Sequence, residues 1–167
     1  GSSGLLVTSL SSFFEYQMEK AWIWEHQALT RARFCGGNKL IGNQFEKIRD
    51  SVISKERNNA NLLEEILAMR EKVFLESKDL NKKFDIKTTK GGMIDIEFLV
   101  QAIILNYSCK VVELKKNIGN ISLLKLSGEK GLIPSNLAYK VSKIYSKYRT
   151  ILHKQRLRAD SFKIDKN

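Results

Sequence analysis

The stretch Trp22-Ile23-Trp24-Glu25-His26-Gln27-Ala28-Leu29-Thr30-Arg31-Ala32-Arg33 places an acid, an imidazole and two guanidinium groups within reach of one another. Glu25 falls in the series Phe14, Met18, Ala21, Glu25, Ala28 and Ala32, whose steps of four and three mark one stripe of a helix. A carboxylate on an apolar stripe is costly to bury unpaired, which predicts a cationic partner from another helix or a ligand. An ion pair that merely holds helices in register would meet the same demand. His26 lies off the stripe and has no second His or carboxylate at ligand spacing, so it is not a metal site. Arg31 and Arg33 sit two residues apart and face different sides of a regular helix, so they do not grip one phosphate together.

A second candidate runs from Phe84 to Glu97. Lys87 and Lys90 approach a Gly91-Gly92 pair that leads into a predicted helix. Unsatisfied amides, a positive dipole end and flexible glycines are the ingredients of an anion site. The segment is neither a Walker loop nor a dinucleotide fingerprint. Asp95 and Glu97 occupy the first helical turn, where acids complement the dipole. The functional alternative is that one of them faces a metal–nucleotide centre across a cleft. Two residues are about 200° apart around a helix, so these acids do not form a shared pair. Glu97 and Gln101 do share a face, expected to be the wet side of an otherwise buried helix. A third candidate is the basic C-terminal helix with Lys140, Lys143, Lys147, Arg149, Lys154, Arg156 and Arg158, read as a solvated face or as a dock for an acidic partner. No Ser–His–Asp, Cys–His or HExxH arrangement is present.

These groups need helices to hold them. Helical periodicity starts at Ser11, with Ser11 or Ser12 as cap, and runs to Cys35-Gly36-Gly37-Asn38. A second helix is expected over Lys39 to Ser54 with Ile41, Phe45, Ile48 and Val52 inward. A third covers Ala60 to Ser77, burying Leu62, Leu63, Ile66, Leu67, Val73 and Phe74. Asp79 to Gly92 has no period and reads as a loop. Met93 to Tyr107 is apolar nearly all round, which suits the centre of a bundle. Asn120 is expected to cap a short helix through Leu126, and Gly128 to Pro134 reads as a turn. Ser135 is expected to cap the last helix, whose Val141, Ile144, Tyr145, Tyr148 and Leu152 point inward. The fold expected is all-α, a bundle of five to six helices, with Leu5-Leu6-Val7 as a short strand. Gly1 to Gly4 is either an expression scar or the cut edge of a neighbouring domain.

Composition agrees. Hydrophobic residues make up 43% and charged residues 28%, which is ordinary globular usage, and a single Pro with 10 Gly disfavours a turn-rich sandwich or barrel. Two cysteines build no disulfide framework, and no apolar run reaches membrane-spanning length, so a soluble cytoplasmic protein is expected. Lys and Arg number 29 against 18 Asp and Glu, a net charge of +11. Because Lys dominates the cations and no stacking platform of aromatics accompanies them, a nucleic-acid partner is not expected.

The run Trp24-Glu25-His26-Gln27-Ala28-Leu29-x-Arg31-Ala32-Arg33, preceded by Tyr16-Gln17 and Ala21-Trp22, resembles the adenylylating half of the glutamate–ammonia-ligase adenylyltransferases. Ala68-Met69-Arg70-Glu71-Lys72, Phe84-Asp85-Ile86-Lys87 and Gly91-Gly92-Met93-Ile94-Asp95-Ile96-Glu97-Phe98 follow in the family's order. The related uridylyltransferases share the Gly-Gly and acid–hydrophobic–acid pattern without the Trp-Glu-His-Gln run. The resemblance implies a nucleotidyltransferase domain followed by a helical bundle that closes over the substrate cleft. It implies residues 1–9 as a remnant of the catalytic domain, 10–160 as the bundle and 161–167 as a tail. In the parent enzyme it implies ATP and Mg2+ as cofactors, with glutamine synthetase, the PII signal protein and the preceding nucleotidyltransferase domain as partners. No Gly-Ser followed by Asp-x-Asp is present, so this chain alone is expected neither to hold the catalytic metal nor to transfer AMP. Lys87, Gly91, Gly92, Asp95 and Glu97 are the implied nucleotide-side candidates. Trp24, Glu25, His26, Arg31 and Arg33 are the implied structural or interface motif, in which Glu25 and an arginine would lock the first helix.

Overall fold

Short polar side chains set the helix starts. Ser9 accepts from the Ser12 amide, Asn38 from Leu40, and Asn58 from Ala60 and Asn61, each satisfying first-turn donors that have no helical partner. The computed structural model describes residues 7–77, 84–157 and 163–164. In chain order it contains α1 (Leu10–Glu19), α2 (Ile23–Leu29), α3 (Lys39–Ile53), α4 (Asn59–Glu76), α5 (Met93–Tyr107), a 3-10 turn (Val112–Lys115), α6 (Asn120–Glu129) and α7 (Ser135–Leu157). One two-residue pair accompanies them: β1 (Phe84–Asp85) runs antiparallel to β2 (Lys163–Ile164), with Phe84 opposite Ile164. The fold is an all-α bundle. The strand expected at Leu5-Leu6-Val7 lies, apart from the exposed Val7, outside the described residues.

Seven α-helices stand where five to six were expected among the described residues, because the first one breaks. Trp22 is extended (ψ 158°), and the Glu25 carboxylate turns back to accept its amide at 3.1 Å, starting a new helix. A continuous stripe from Phe14 to Ala32 therefore does not exist.

α5 is the central rod, packed against α2, α4, α6 and α7. Its Ile96, Val100, Ile103, Ile104 and Leu105 meet Val52, Ile53, Leu62, Ile66, Leu123, Leu124 and Tyr145 in one core. The 3-10 turn adds Leu114. α6 and α7 pack most extensively: a Cβ on Gly128 would lie 2.7 Å from that of Ala138, so the helices approach more closely there than any larger residue permits. Four residues expected inward are exposed: Ile41, Leu63, Leu67 and Ile144. At α3 the Phe34 ring covers Gly42 rather than Ile41, since a Cβ at Gly42 would stand 2.6 Å from Phe34 Cγ. On α4 the buried line runs through Leu62, Ile66 and Arg70, leaving Leu63 and Leu67 on the shoulder.

Candidate functional site

Antiparallel packing of α2 and the turn after it against α5 aligns two polar rungs. Gln27 Nε2 donates to Gln101 Oε1 at 2.9 Å, and one turn away Arg31 Nη1 donates to Glu97 Oε2 at 3.1 Å. Glu97 also accepts from the Tyr145 hydroxyl at 3.1 Å, and that hydroxyl in turn accepts from Asn120 Nδ2 at 2.8 Å. Burial, and then the negative Glu97, push the Tyr145 phenol up to about 12, so it stays a donor. The face of Glu97 and Gln101, expected to be wet, is instead an interhelical polar seam in which Gln101 is buried.

Asp95 points the other way, as the 200° separation requires. One of its oxygens binds Arg70 Nε and the other accepts the Gly91 amide. Arg70 Nη2 also donates to Thr88 O at 2.8 Å, so α4 latches the loop to the start of α5. Within that loop Gly92 N donates to Thr89 O (2.7 Å), Met93 N to Ile86 O (2.9 Å) and Ile94 N to Lys87 O (3.0 Å). The amides expected to be open for an anion are therefore satisfied by the loop's own carbonyls and by Asp95. Gly91 supplies a left-handed φ of +81°, and a Cβ on Gly92 would stand 2.6 Å from both Ile86 O and Thr89 O. The Tyr148 hydroxyl donates to Gly91 O from α7 at 3.1 Å. Lys87 projects into solvent, and its ammonium has no partner among the described residues.

The first motif behaves differently from expectation. Glu25 pairs with no cation among the described residues; it accepts from Tyr16 Oη (3.0 Å) and from the Trp22 amide. The reason is the helix break, which takes Glu25 off the apolar stripe and makes it a cap. Arg31 pairs with Glu97, Arg33 is exposed, and Trp22 and Trp24 remain 66% and 50% exposed. His26 is buried: its Nε2 lies 2.8 Å from Gln17 O and its Nδ1 3.2 Å from Arg57 Nη2. Both bonds need the neutral tautomer with the proton on Nε2. Desolvation, with Arg57 and Lys55 nearby, holds its pKa below the ordinary histidine value.

Two arginines were missed. Arg57 donates to Val52 O (2.6 Å), Ile53 O (3.2 Å) and Leu105 O (3.3 Å), closing the end of α3 and reaching the last turn of α5. Arg49 donates to Leu29 O (2.9 Å), Thr30 O (2.7 Å) and Lys115 O (2.9 Å), closing the end of α2. Arg57 stands in the polar run Arg57-Asn58-Asn59 between two helices, which reads as a simple break, and Arg49 carries no signal except its place one residue after Ile48. Arg70 did carry one: it continues the Leu62–Ile66 spacing as the lone cation on a buried line.

The first part of the chain, residues 1–48, matches the family model described as glutamate-ammonia ligase adenylyltransferase, and residues 61–162 match that of GlnD PII-uridylyltransferase. A bifunctional glutamine synthetase adenylyltransferase/adenylyl-removing enzyme of Aromatoleum aromaticum is 48% identical over 94% of this chain. Enzymes of the same name from Chromobacterium violaceum and Nitrosomonas europaea are 47% and 45% identical over the same share. The chain belongs to the glutamine synthetase adenylyltransferase family. It spans 17% of the length of these relatives. Within the family frame, the seam of Arg31, Glu97 and Tyr145 and the latch of Arg70 and Asp95 both gather at the first turns of α5. The uridylyltransferase match covers that same helix and its Gly-Gly entrance. No helix among the described residues is long and apolar enough to cross a membrane.

Proposed function

We propose that this chain is the helical region of an enzyme that transfers AMP from ATP to a tyrosine hydroxyl of glutamine synthetase, and so regulates nitrogen assimilation in the cytoplasm. Its part is to position nucleotide or protein substrate beside a nucleotidyltransferase domain. The observation that carries this reading is the α5 entrance: Arg70, Asp95, Gly91 and Tyr148 hold a loop on which the exposed Lys87 ammonium has no partner among the described residues. Glu97, held by Arg31 and Tyr145, sets how α2 and α7 meet that entrance.

Mg2+ would neutralise phosphate charge and bridge the reacting oxygens in such a reaction. The described residues do not fit a resident ion: no three His, Cys, Asp or Glu side chains gather, and Asp95 and Glu97 are each committed to an arginine. The chain's own contribution is therefore binding and orientation. In the full-length enzyme, Lys87→Ala should lower the rate of AMP transfer about tenfold or more with an unchanged melting temperature. Wild-type rates for Lys87→Ala and Glu97→Gln, both folded, would remove this entrance from the active side. Label transferred to glutamine synthetase by the purified chain alone would end the positioning role.

A second reading is favoured by α7, which carries Lys140, Lys143, Lys147 and Lys154 exposed on one face and no acidic residue in its 23 positions. Such a face docks acidic proteins, with glutamine synthetase and PII the partners that the family suggests. Retention of glutamine synthetase at low salt and its release at high salt would support docking, and no retention would refute it.

A further inference from the structure

α7 carries apolar residues in two rows of the same period. Ala138, Tyr145 and Leu152 repeat every seven residues and are buried against the bundle. Leu137, Ile144 and Ile151, one residue earlier in each repeat, form a second row outside it, with Leu137 46% and Ile144 44% exposed and Ile151 half-buried. Lys140, Lys147 and Lys154 follow that row three residues on, exposed and paired with no acid among the described residues. The outer face thus repeats apolar-x-x-Lys in successive heptads over about 26 Å of helix. Tyr148 stands beside the apolar row, four residues after Ile144 and three before Ile151, and its hydroxyl donates to Gly91 O at 3.1 Å. The row therefore runs past the entrance of α5.

We propose that this outer seam of α7 docks an acidic partner helix, with apolar residues on Leu137, Ile144 and Ile151 and carboxylates on Lys140, Lys147 and Lys154. The inference rests on the reading of α7 as a dock for acidic proteins and gives that dock its geometry. Rows at strict seven-residue spacing drift about 20° per heptad around a straight helix, the left-handed path that a second helix follows. A strip one apolar residue wide does not suit a bilayer, in which interfacial helices bury a broad apolar face. Lysine in the second seam position is costly against an apolar side chain and favourable against a carboxylate, so charge fixes the sign of the partner. Two copies of α7 do not satisfy the seam: the helix has no acidic residue in its 23 positions, and lysine would oppose lysine.

The test is a fluorescence anisotropy titration of the intact chain with labelled synthetic helices of about three heptads, with Leu and Glu as their two rows. Glu follows Leu by three residues in one peptide, for a parallel pair, and by four in the other, for an antiparallel pair. One of them should bind saturably, with Kd in roughly the micromolar range, and about tenfold or more weaker when salt rises from about 0.05 to 0.5 M. Lys147→Glu and Ile144→Ser should each weaken binding about tenfold with unchanged circular dichroism, because both side chains are exposed. Lys39→Glu, the same charge change at the start of α3, should alter it less than about threefold. No binding by either peptide, equal binding after the peptide's leucines become serines, or equal responses to Lys39→Glu and Lys147→Glu overturns the seam. Vesicles of phosphatidylcholine and phosphatidylglycerol that bind the chain while neither peptide does would reassign the face to lipid and overturn it too. Retention of glutamine synthetase with neither peptide bound would refute the seam and leave the docking reading standing. A bound peptide without that retention would keep the seam and refute glutamine synthetase as its partner.

Discussion

Replacing Arg57 with Met keeps the length of an apolar stem and deletes the fork that joins α2, α3 and α5. The cost follows from which acceptors keep another donor. Val52 O retains the Lys55 amide at 3.3 Å, and Ile53 O retains Ser108 Oγ at 3.2 Å. Lys55 O also loses Arg57 Nη1 (2.7 Å) but is exposed and can turn to water, so the losses that count fall on Leu105 O and on His26 Nδ1. Two acceptors stripped of a donor cost about 1–3 kcal/mol each. Against this stands relief from burying the guanidinium, whose pKa burial lowers to about 10. The net expectation is a loss of about 2–4 kcal/mol, a large share of the 5–15 kcal/mol that holds a typical domain. Urea unfolding followed by circular dichroism should show the midpoint falling by about 1–2 M at unchanged slope. Arg57→Lys, which keeps the charge but not the fork, should fall between. In a His26→Asn background the Arg57→Met loss should shrink by about 1 kcal/mol, because one of the two stranded acceptors is gone. An unchanged or raised midpoint for Arg57→Met would show that desolvating the cation costs as much as its bonds return, and would remove Arg57 as the hub.

His26 makes stability fall with acid. Its folded pKa lies below the unfolded value near 6.5, so the unfolded chain takes up the proton first. Its contribution is intact above about 6.5 and declines as pH drops through that value, and His26→Asn should flatten thermal stability between about pH 5 and 7. Gly92→Ala drives a Cβ into Ile86 O and Thr89 O, two backbone carbonyls engaged at the entrance of α5, and should cost about 1–3 kcal/mol in urea unfolding; a loss below half that would mean the loop yields easily. Tyr145→Phe removes the bonds to Glu97 and Asn120 and should cost about 1–2 kcal/mol. Arg31→Ala at the other side of Glu97 should cost under about 1 kcal/mol, since the Arg31 side chain is 62% exposed, so a larger effect than that of Tyr145→Phe would reverse the assigned order.

Helix α5 was legible to its end residues because an all-round apolar run admits only a central position, and the glycine pair before it admits only a turn. The break between α1 and α2 was hidden by the same periodicity: Glu25 fits the spacing of an apolar stripe and the spacing of a cap to Trp22, and only the backbone decides between them. The anion site at Gly91-Gly92 misread open amides for the same kind of reason. Donor supply is written in the residues, but the carbonyls of Ile86, Lys87 and Thr89 that consume it are carried by every residue type and leave no mark. Arg49 and Arg57 escaped for this cause too, as their partners are carbonyls at helix ends rather than acids. Arg31 and Glu97, by contrast, were both singled out, and only their mutual pairing was not, because it depends on α2 and α5 packing antiparallel across 66 residues of chain. Side-chain chemistry was thus readable wherever side chains answer one another, and unreadable wherever the backbone answers. Arg70 shows both sides of that asymmetry: its pairing with the acid Asp95 could be sought in the sequence, whereas its bond to the Thr88 carbonyl could not.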